Sequence, residues 1–407
     1  MNRGNWAATT LALAALAGCA TTPNGGGGGS PPPPPPPPSA TTLITDAQPF
    51  DYRVADPADL TGKVSFVWSD KFGAVPGVTT CHYAPAYRSN AQTTAWFVAN
   101  HPDWVMRKAD RSIAYEFGNT AYTPLDIANP AVVAFLQTTI AAAMKPGQSW
   151  LCLDNVDAEN SAGEVGHIDG SGAWVAPYTG QPHDAKWLAD NVSYLTGMVA
   201  WERGQGAGTM INDSGNSAEI SLAEWWALAD TVDGVMKEGW PIDGCASDPP
   251  GWVNGYVAGD QFDLEYSEAV QAIGAPTFQL SYFCGHPLAQ ATNAEIAWVT
   301  ATRLLTAGPD ATDNLIAAPG APPQTDDASV EAYPASMNPM VGPVTDAPPA
   351  PGGRPYVRRF AHGLVALNPT DAPESVVVPA GADQFGQAVP AGPYALAPMG
   401  AVVIVTP

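Results

Sequence analysis

Ser149–Asn160 reads SWLCLDNVDAEN, and the reading of the whole fold turns on it. Trp150, Leu151, Cys152 and Leu153 form a short apolar run that stops at Asp154, Asn155 and Asp157. A run this short, with no polar alternation, predicts a strand buried on both faces, as in a parallel sheet covered by helices. Alternation along the strand puts Cys152 and Asp154 on one face. In a closed parallel barrel that face is the interior, so Cys152 is expected there as a buried free thiol. Val232–Trp240, VDGVMKEGW, has the same design and stops at Glu238. Side chains at the C-terminal ends of such strands are where this architecture carries chemistry.

Working outward, strand and helix signals alternate. Lys63–Ser69 (KVSFVWS) reads as the first strong strand, Trp104–Arg107 as a short strand candidate and Ala121–Asp126 as a weak third strand. SWLCLDN is then the fourth, Gly208–Asn212 the fifth, the Val232 stretch the sixth, Pro276–Tyr282 the seventh and Asp313–Ala317 the eighth. Helices are expected over Thr93–Asn100, Val132–Met144, Asp184–Glu202, Leu222–Leu228, Leu264–Ile273 and Ala294–Leu305. The pattern predicts an α/β fold, a TIM (β/α)8 barrel over residues 46–318. No G-x-G-x-x-G follows a strand, which removes support for a dinucleotide fold. Residues 319–353 are rich in Pro, Ala and Asp and read as a connector. Residues 354–407 read as a small antiparallel β-domain, with short β-rich runs parted by Gly and Pro.

The formal charge is −23, from 16 Lys+Arg against 39 Asp+Glu. That excludes a nucleic-acid partner, whose phosphates need a basic surface. It favours solubility and a neutral or cationic partner. Residues 1–18 read as a signal peptide, with Arg3 followed by a short apolar stretch. Leu16-Ala17-Gly18-Cys19 resembles a bacterial lipobox, which implies lipidation of Cys19 and a place in the cell envelope. Ala20 rather than Asp follows the Cys, which in a Gram-negative cell resembles sorting to the outer membrane. Residues 19–45 form a linker with Gly25–Gly29 and Pro31–Pro38, flexible and then stiffly extended. Export makes disulfides available. Cys245 and Cys284 each follow an expected strand end on the same face of the fold, and a bond between them is expected.

Two carboxylates at strand ends are the parts needed to break a glycosidic bond. One must donate a proton to the leaving oxygen while the other stays charged, so their surroundings must differ. Asp154, among polar neighbours, reads as the nucleophile or base. Glu238, beside Trp240, reads as the acid. Trp68, Asp70, Tyr115, Asp157, Asn212, Trp240 and Tyr282 are candidates to bind sugar rings or hydroxyls, with packing, turn or solvation roles as their ordinary alternatives. No His cluster or H-E-x-x-H is present, the Asp154 loop lacks the Gly a calcium loop needs, and G-x-S-x-G is absent. No metal and no cofactor is expected. Arg358-Arg359 reads as a structural ion pair.

LDNVDAEN, MINDS, VDGVMKEGW and the tail RRFAHGLVALNP together resemble a set of TIM-barrel glycoside hydrolases. That set includes the endo-α-1,4-polygalactosaminidases and the hypothetical glycosyl hydrolase family fifteen. The likeness covers most of Lys63–Pro407, and its strongest pieces are the two strand-end acids and the Arg359–Pro369 segment. The resemblance implies Asp154 and Glu238 as the catalytic pair. FVWSDKFG departs from the usual opening of true polygalactosaminidases, so substrate identity does not carry over. The expectation is an exported, lipid-anchored glycosidase that acts on a polysaccharide or oligosaccharide as a single copy. Its rivals are a carbohydrate-binding lipoprotein on a degenerate barrel and an interaction protein of the envelope.

Overall fold

Leu151, Cys152 and Leu153 are buried on both faces of their strand, as their composition demands. The computed structural model describes residues 45–50, 56–62, 64, 66–69, 71–115, 118–160, 163–181, 183–213, 221–243, 277–282, 290–306, 314–317, 335–337, 339–347, 349 and 354–407. All of them lie in one unit, Ala40–Pro407; Met1–Ser39, with Cys19, lies outside the described residues.

In chain order the first elements are β1 (Thr45–Phe50), β2 (Phe66–Ser69) and β3 (Thr79–Pro85). An excursion follows with β4 (Arg88–Ser89), α1 (Thr94–Asn100), β5 (Arg107–Lys108), β6 (Thr123–Pro124) and α2 (Pro130–Ala143). Next come β7 (Trp150–Val156), β8 (Val165–Ile168), β9 (Trp174–Val175) and α3 (Ala185–Gly204). Then come β10 (Gly208–Asp213), α4 (Leu222–Ala229), β11 (Gly234–Asp243), β12 (Thr277–Tyr282), α5 (Asn293–Thr306) and β13 (Asn314–Ala317). The tail is β14 (Tyr356–Phe360), β15 (Gly363–Leu367), β16 (Glu374–Val378), β17 (Gly381–Asp383), β18 (Ala388–Val389), β19 (Gly392–Leu396) and β20 (Ala401–Val405).

Strands β1-β2-β3-β7-β10-β11-β12-β13 close on themselves, each parallel to its neighbours. The class is a TIM-like α/β fold. Among the described residues, helices stand between β3 and β7, β7 and β10, β10 and β11, and β12 and β13. Among its described residues the β1–β2 link shows only a 3-10 turn at Pro57–Asp59. The expected helix over Leu264–Ile273 lies outside the described residues.

Two barrel positions differ from the expectation. They belong to Thr45–Phe50 and Thr79–Pro85, not to Trp104–Arg107 and Ala121–Asp126. Pro102–Trp104 is a 3-10 turn, Arg107–Lys108 pairs with β8, and Thr123–Pro124 pairs with β4, all outside the barrel. The reason is local. Thr79–Pro85 (TTCHYAP) has no apolar run to announce it, whereas the aromatic content of 104–107 and 121–126 packs a side excursion.

Helix ends follow their sequence signals. Asn129 caps α2 ahead of Pro130, and Asp184 caps α3 by accepting from the Lys186 and Trp187 amides. Ser221 and Glu224 form a reciprocal capping box on α4. The outward residues Leu151, Leu153, Ile211 and Val235 pack on Leu136 and Ile140 of α2, Leu195 and Met198 of α3, and Trp225 and Leu228 of α4. The lumen is filled by Phe66, Trp68, Cys81, Cys152, Met210, Met236 and Phe278. Period-two alternation along each strand separates these two layers.

The tail forms antiparallel sheets, β14-β15-β20-β17-β18 and β16-β19. One face of the five-stranded sheet covers α5, where Trp298, Val299 and Leu305 meet Tyr356, Val365 and Val403. Arg358, buried, donates to the carbonyls of Leu304 and Leu305 at 3.1 and 2.7 Å. These carbonyls lie in the last turn of α5, where no further helical N–H can reach them. Arg359 instead pairs with Asp346 at the surface, 3.3 Å apart. The expected ion pair is thus formed by one of the two arginines, while Arg358 joins the tail to the barrel.

Candidate functional site

The site begins with an irregularity in β7. Leu153 pairs with Ile211, but Val156 pairs with Asp213, so β7 spends one residue more than β10 between those points. The extra residue is a bulge at Asp154–Asn155, where Asn155 takes φ 60°. Asn is among the few side chains that occupy this left-handed region readily. Its Oδ1 accepts a hydrogen bond from Arg88 Nη2. The Arg88 guanidinium in turn lies 5.5 Å from the centre of the Tyr122 ring.

The bulge leaves Asp154 on the lumenal side of the strand end, held by three donors. Its Oδ1 accepts from the Asn155 amide at 2.9 Å and from Asn212 Nδ2 at 2.8 Å. Its Oδ2 accepts from the Tyr83 hydroxyl at 2.7 Å. Burial pushes the Tyr83 phenol well above its ordinary range, and the Asp154 charge and hydrogen bond push the same way against a smaller opposing effect of Arg88. Tyr83 therefore keeps its proton and donates it to the carboxylate. Asn212 is fully buried at the end of β10.

Cys152 is not a free thiol. It is bonded to Cys81 on the neighbouring strand, with Cα atoms 5.8 Å apart, inside the lumen. The interior direction read from alternation holds. The partner was missed because Cys81 lies on the strand that carries no apolar run. The expected bond between Cys245 and Cys284 lies outside the described residues.

The sequence-derived residues scatter. Asp154 and Asn212 meet. Trp68 is 1% exposed and packs on Phe278, ring centres 6.1 Å apart, so it fills the lumen. Asp157 turns its Oδ1 back to the Glu159 amide, while its backbone joins Tyr87 and Trp187. The Tyr115 hydroxyl is 3.3 Å from Thr94 Oγ1, in the excursion between β3 and β7. Glu238 and Trp240 belong to β11 and Tyr282 to β12 by backbone; their side chains, and all of Asp70, lie outside the described residues. Tyr83 and Arg88 were not singled out from sequence, and Asn155 was read only as a polar neighbour of Asp154. One signal was present: Cys81-x-Tyr83 and Cys152-x-Asp154 share a two-residue spacing, which on neighbouring parallel strands lets both pairs meet on the same diagonal.

Among the described residues, no group of three or more His, Cys, Asp and Glu is arranged to hold a metal ion. No described helix is long and apolar enough to cross a membrane.

No family model matches this chain, and no match is found among curated proteins. Similarity is found among solved structures. One is a family GH13_31 enzyme, 11% identical, TM-score 0.46, covering 89% of this chain and 97% of that one. Another is Amy13B of Eubacterium rectale, 10% identical, TM-score 0.40, covering 81% and 79%. A third is the debranching enzyme of Nostoc punctiforme, 13% identical, TM-score 0.41, covering 81% and 76%.

Proposed function

We propose that this chain is an exported glycoside hydrolase that cleaves a polysaccharide with Asp154 and Glu238. The observation that carries the reading is the Asp154 carboxylate at the C-terminal end of β7, fixed through both oxygens by Tyr83, Asn155 and Asn212. All three partners donate, so the acceptor they are built around is the charged form. A carboxylate so held suits attack on an anomeric carbon, or removal of a proton from the attacking water. It does not suit proton donation, and Glu238 takes that role. Strand β11 is separated from β7 by β10 alone. Two strand spacings are about 10 Å, a backbone span that suits the ~5–9.5 Å between the carboxyl groups of retaining and inverting glycosidases. Met236, two residues before Glu238 on β11, faces the lumen.

The reaction then balances simply. Glu238 protonates the leaving glycosidic oxygen as the bond to the anomeric carbon breaks. Asp154, or a water it deprotonates, forms the new bond, and net addition of one water gives a new reducing end. Asp70, Trp240 and Tyr282 remain candidates for sugar contacts at the mouth. The finer architecture in this reading is a complete (β/α)8 barrel over 46–318, a connector over 319–353 and a β-domain over 354–407. A lipid on Cys19 and the 19–45 linker would hold it off the envelope membrane.

The test is the release of reducing ends by the purified mature protein from a panel of starch, pullulan, chitosan, galactan and xylan. Wild type should be active on at least one, and Asp154→Asn and Glu238→Gln should each lose activity by at least about a hundredfold while still binding. Glycan binding by wild type with no turnover on any of them would leave a carbohydrate-binding protein. The anchor is tested by Cys19→Ser, which should move the protein from the membrane to the soluble fraction.

A further inference from the structure

The residues beneath Asp154 form a second cross-link on the same diagonal. Cys81 of β3 is bonded to Cys152 of β7, and two residues further along both strands Tyr83 is bonded to Asp154. Each pair is separated by 71 residues in the chain, so the disulfide and the hydrogen bond occupy successive rungs between the same two strands. The rungs are about 6.6 Å apart along the strand direction. On the opposite side of β7 the ladder to β10 is broken by the bulge at Asp154–Asn155. Asp154 is thus held by Asn212 from the β10 side and by Tyr83 from the β3 side, and on the β3 side a covalent link lies directly beneath the hydrogen bond.

We propose that Tyr83 is a positioning residue for Asp154, and that the Cys81–Cys152 bond holds Tyr83 in place to act as one. The catalytic half of this inference rests on the glycosidase reading; the geometric half does not. Tyr83 is not free to drift, because it is half-buried, its hydroxyl is bonded to the carboxylate and the backbone beneath it is cross-linked. With Oδ1 taken by the Asn155 amide and Asn212, the Tyr83 bond leaves the second lone pair of Oδ2 as the open one, which fixes the approach of a sugar carbon or a water. A nucleophile misplaced by as little as ~1 Å can lose about a hundredfold in rate.

The experiment uses the full mature protein. The 13C resonance of the Asp154 carboxyl is assigned by its loss in Asp154→Asn, then followed in Tyr83→Phe and in two disulfide-free pairs, Cys81→Ala with Cys152→Ala and Cys81→Val with Cys152→Ala. The second pair refills the lumen where the first fails to fold. In folded Tyr83→Phe the resonance should move and broaden, and it should move in the same direction in whichever disulfide-free pair folds. On the panel polysaccharide that wild type cleaves best, Tyr83→Phe should lower kcat about tenfold or more with KM within about twofold, the pattern of a lost transition-state interaction. An unmoved resonance in folded Tyr83→Phe overturns the role of Tyr83. An unmoved resonance in a folded disulfide-free pair overturns the role of the bond. If the resonance responds as expected but wild type cleaves nothing, the positioning stands and the glycosidase reading falls.

Discussion

Glu202 sits in the last turn of α3 with no exposed surface, and neither carboxylate oxygen has a partner among the described residues. Burial raises its carboxyl from the ordinary 4.5 to about 7. An unfolded chain releases this proton near pH 4.5, whereas the folded chain keeps it until about pH 7. Between those values the folded state binds more protons than the unfolded one, so stability falls as pH rises. Below the unfolded value both states are protonated and the group adds no pH dependence. Above the folded value both are ionised and the full penalty is in place. At 1.36 kcal/mol per pH unit, a gap of about 2.5 units corresponds to about 3 kcal/mol. Replacing Glu202 with Gln or Leu removes this segment of the profile.

The assay is urea unfolding of wild type and both variants at half-unit steps from pH 4 to 8.5. The readout is the difference between variant and wild type, in which pH effects from distant groups cancel. That difference should shift by about 3 kcal/mol in favour of the variant across the window, with most of the change between pH 4.5 and 7. The constant offset will differ between Gln and Leu, because a buried amide has its own hydrogen bonds to satisfy, at roughly 1–3 kcal/mol. The slope should not. A difference that stays flat to within about 0.5 kcal/mol would refute the reasoning, since it would mean that Glu202 ionises equally easily in both states.

Other consequences are open to measurement. The Cys81–Cys152 bond closes a loop spanning 71 residues, for which the chain-entropy relation gives about 4 kcal/mol. The disulfide-free pairs should lose an amount of that order in urea unfolding, and a loss under about 1 kcal/mol would contradict it. Arg358→Met strands the Leu304 and Leu305 carbonyls in a buried setting and should cost about 2–3 kcal/mol. Arg359→Ala breaks only a surface pair and should cost less than about 1 kcal/mol; similar melting temperatures for the two variants would refute the contrast. Asn155→Val puts a β-branched residue at φ 60° and should cost about 1–2 kcal/mol or more, read from chemical denaturation, with Asn155→Gly much milder.

The parts of this molecule that were legible in its sequence are those where one physical demand dominates. Residues 150–153 had to be apolar on both sides because the lumen packs one face and α2 and α3 pack the other. Asn129-Pro130 and Asp184 could be read as helix starts because capping is a local bargain between a side chain and nearby amides. Strand β3 answers to several demands at once. Thr80 faces outward and spends its hydroxyl on the Gly73 carbonyl at 2.8 Å, while His82, kept neutral first by burial and then by the Lys145 charge, shares that face. Cys81 and Tyr83 face inward, one for a covalent bond and one for a hydrogen bond. None of these needs an apolar run, so no run exists, and the strand that supports Asp154 was passed over for aromatic stretches nearby. The bulge was hidden for a related reason. Whether Asn155 adopts a left-handed conformation depends on an Arg88 that is 67 positions away, and no window of sequence contains both. A strand whose inner residues are chosen for what they do to a neighbour's carboxylate is recognisable only once the neighbour is in place. The matched pairs Cys81-x-Tyr83 and Cys152-x-Asp154 are the trace which that pairing leaves in the chain.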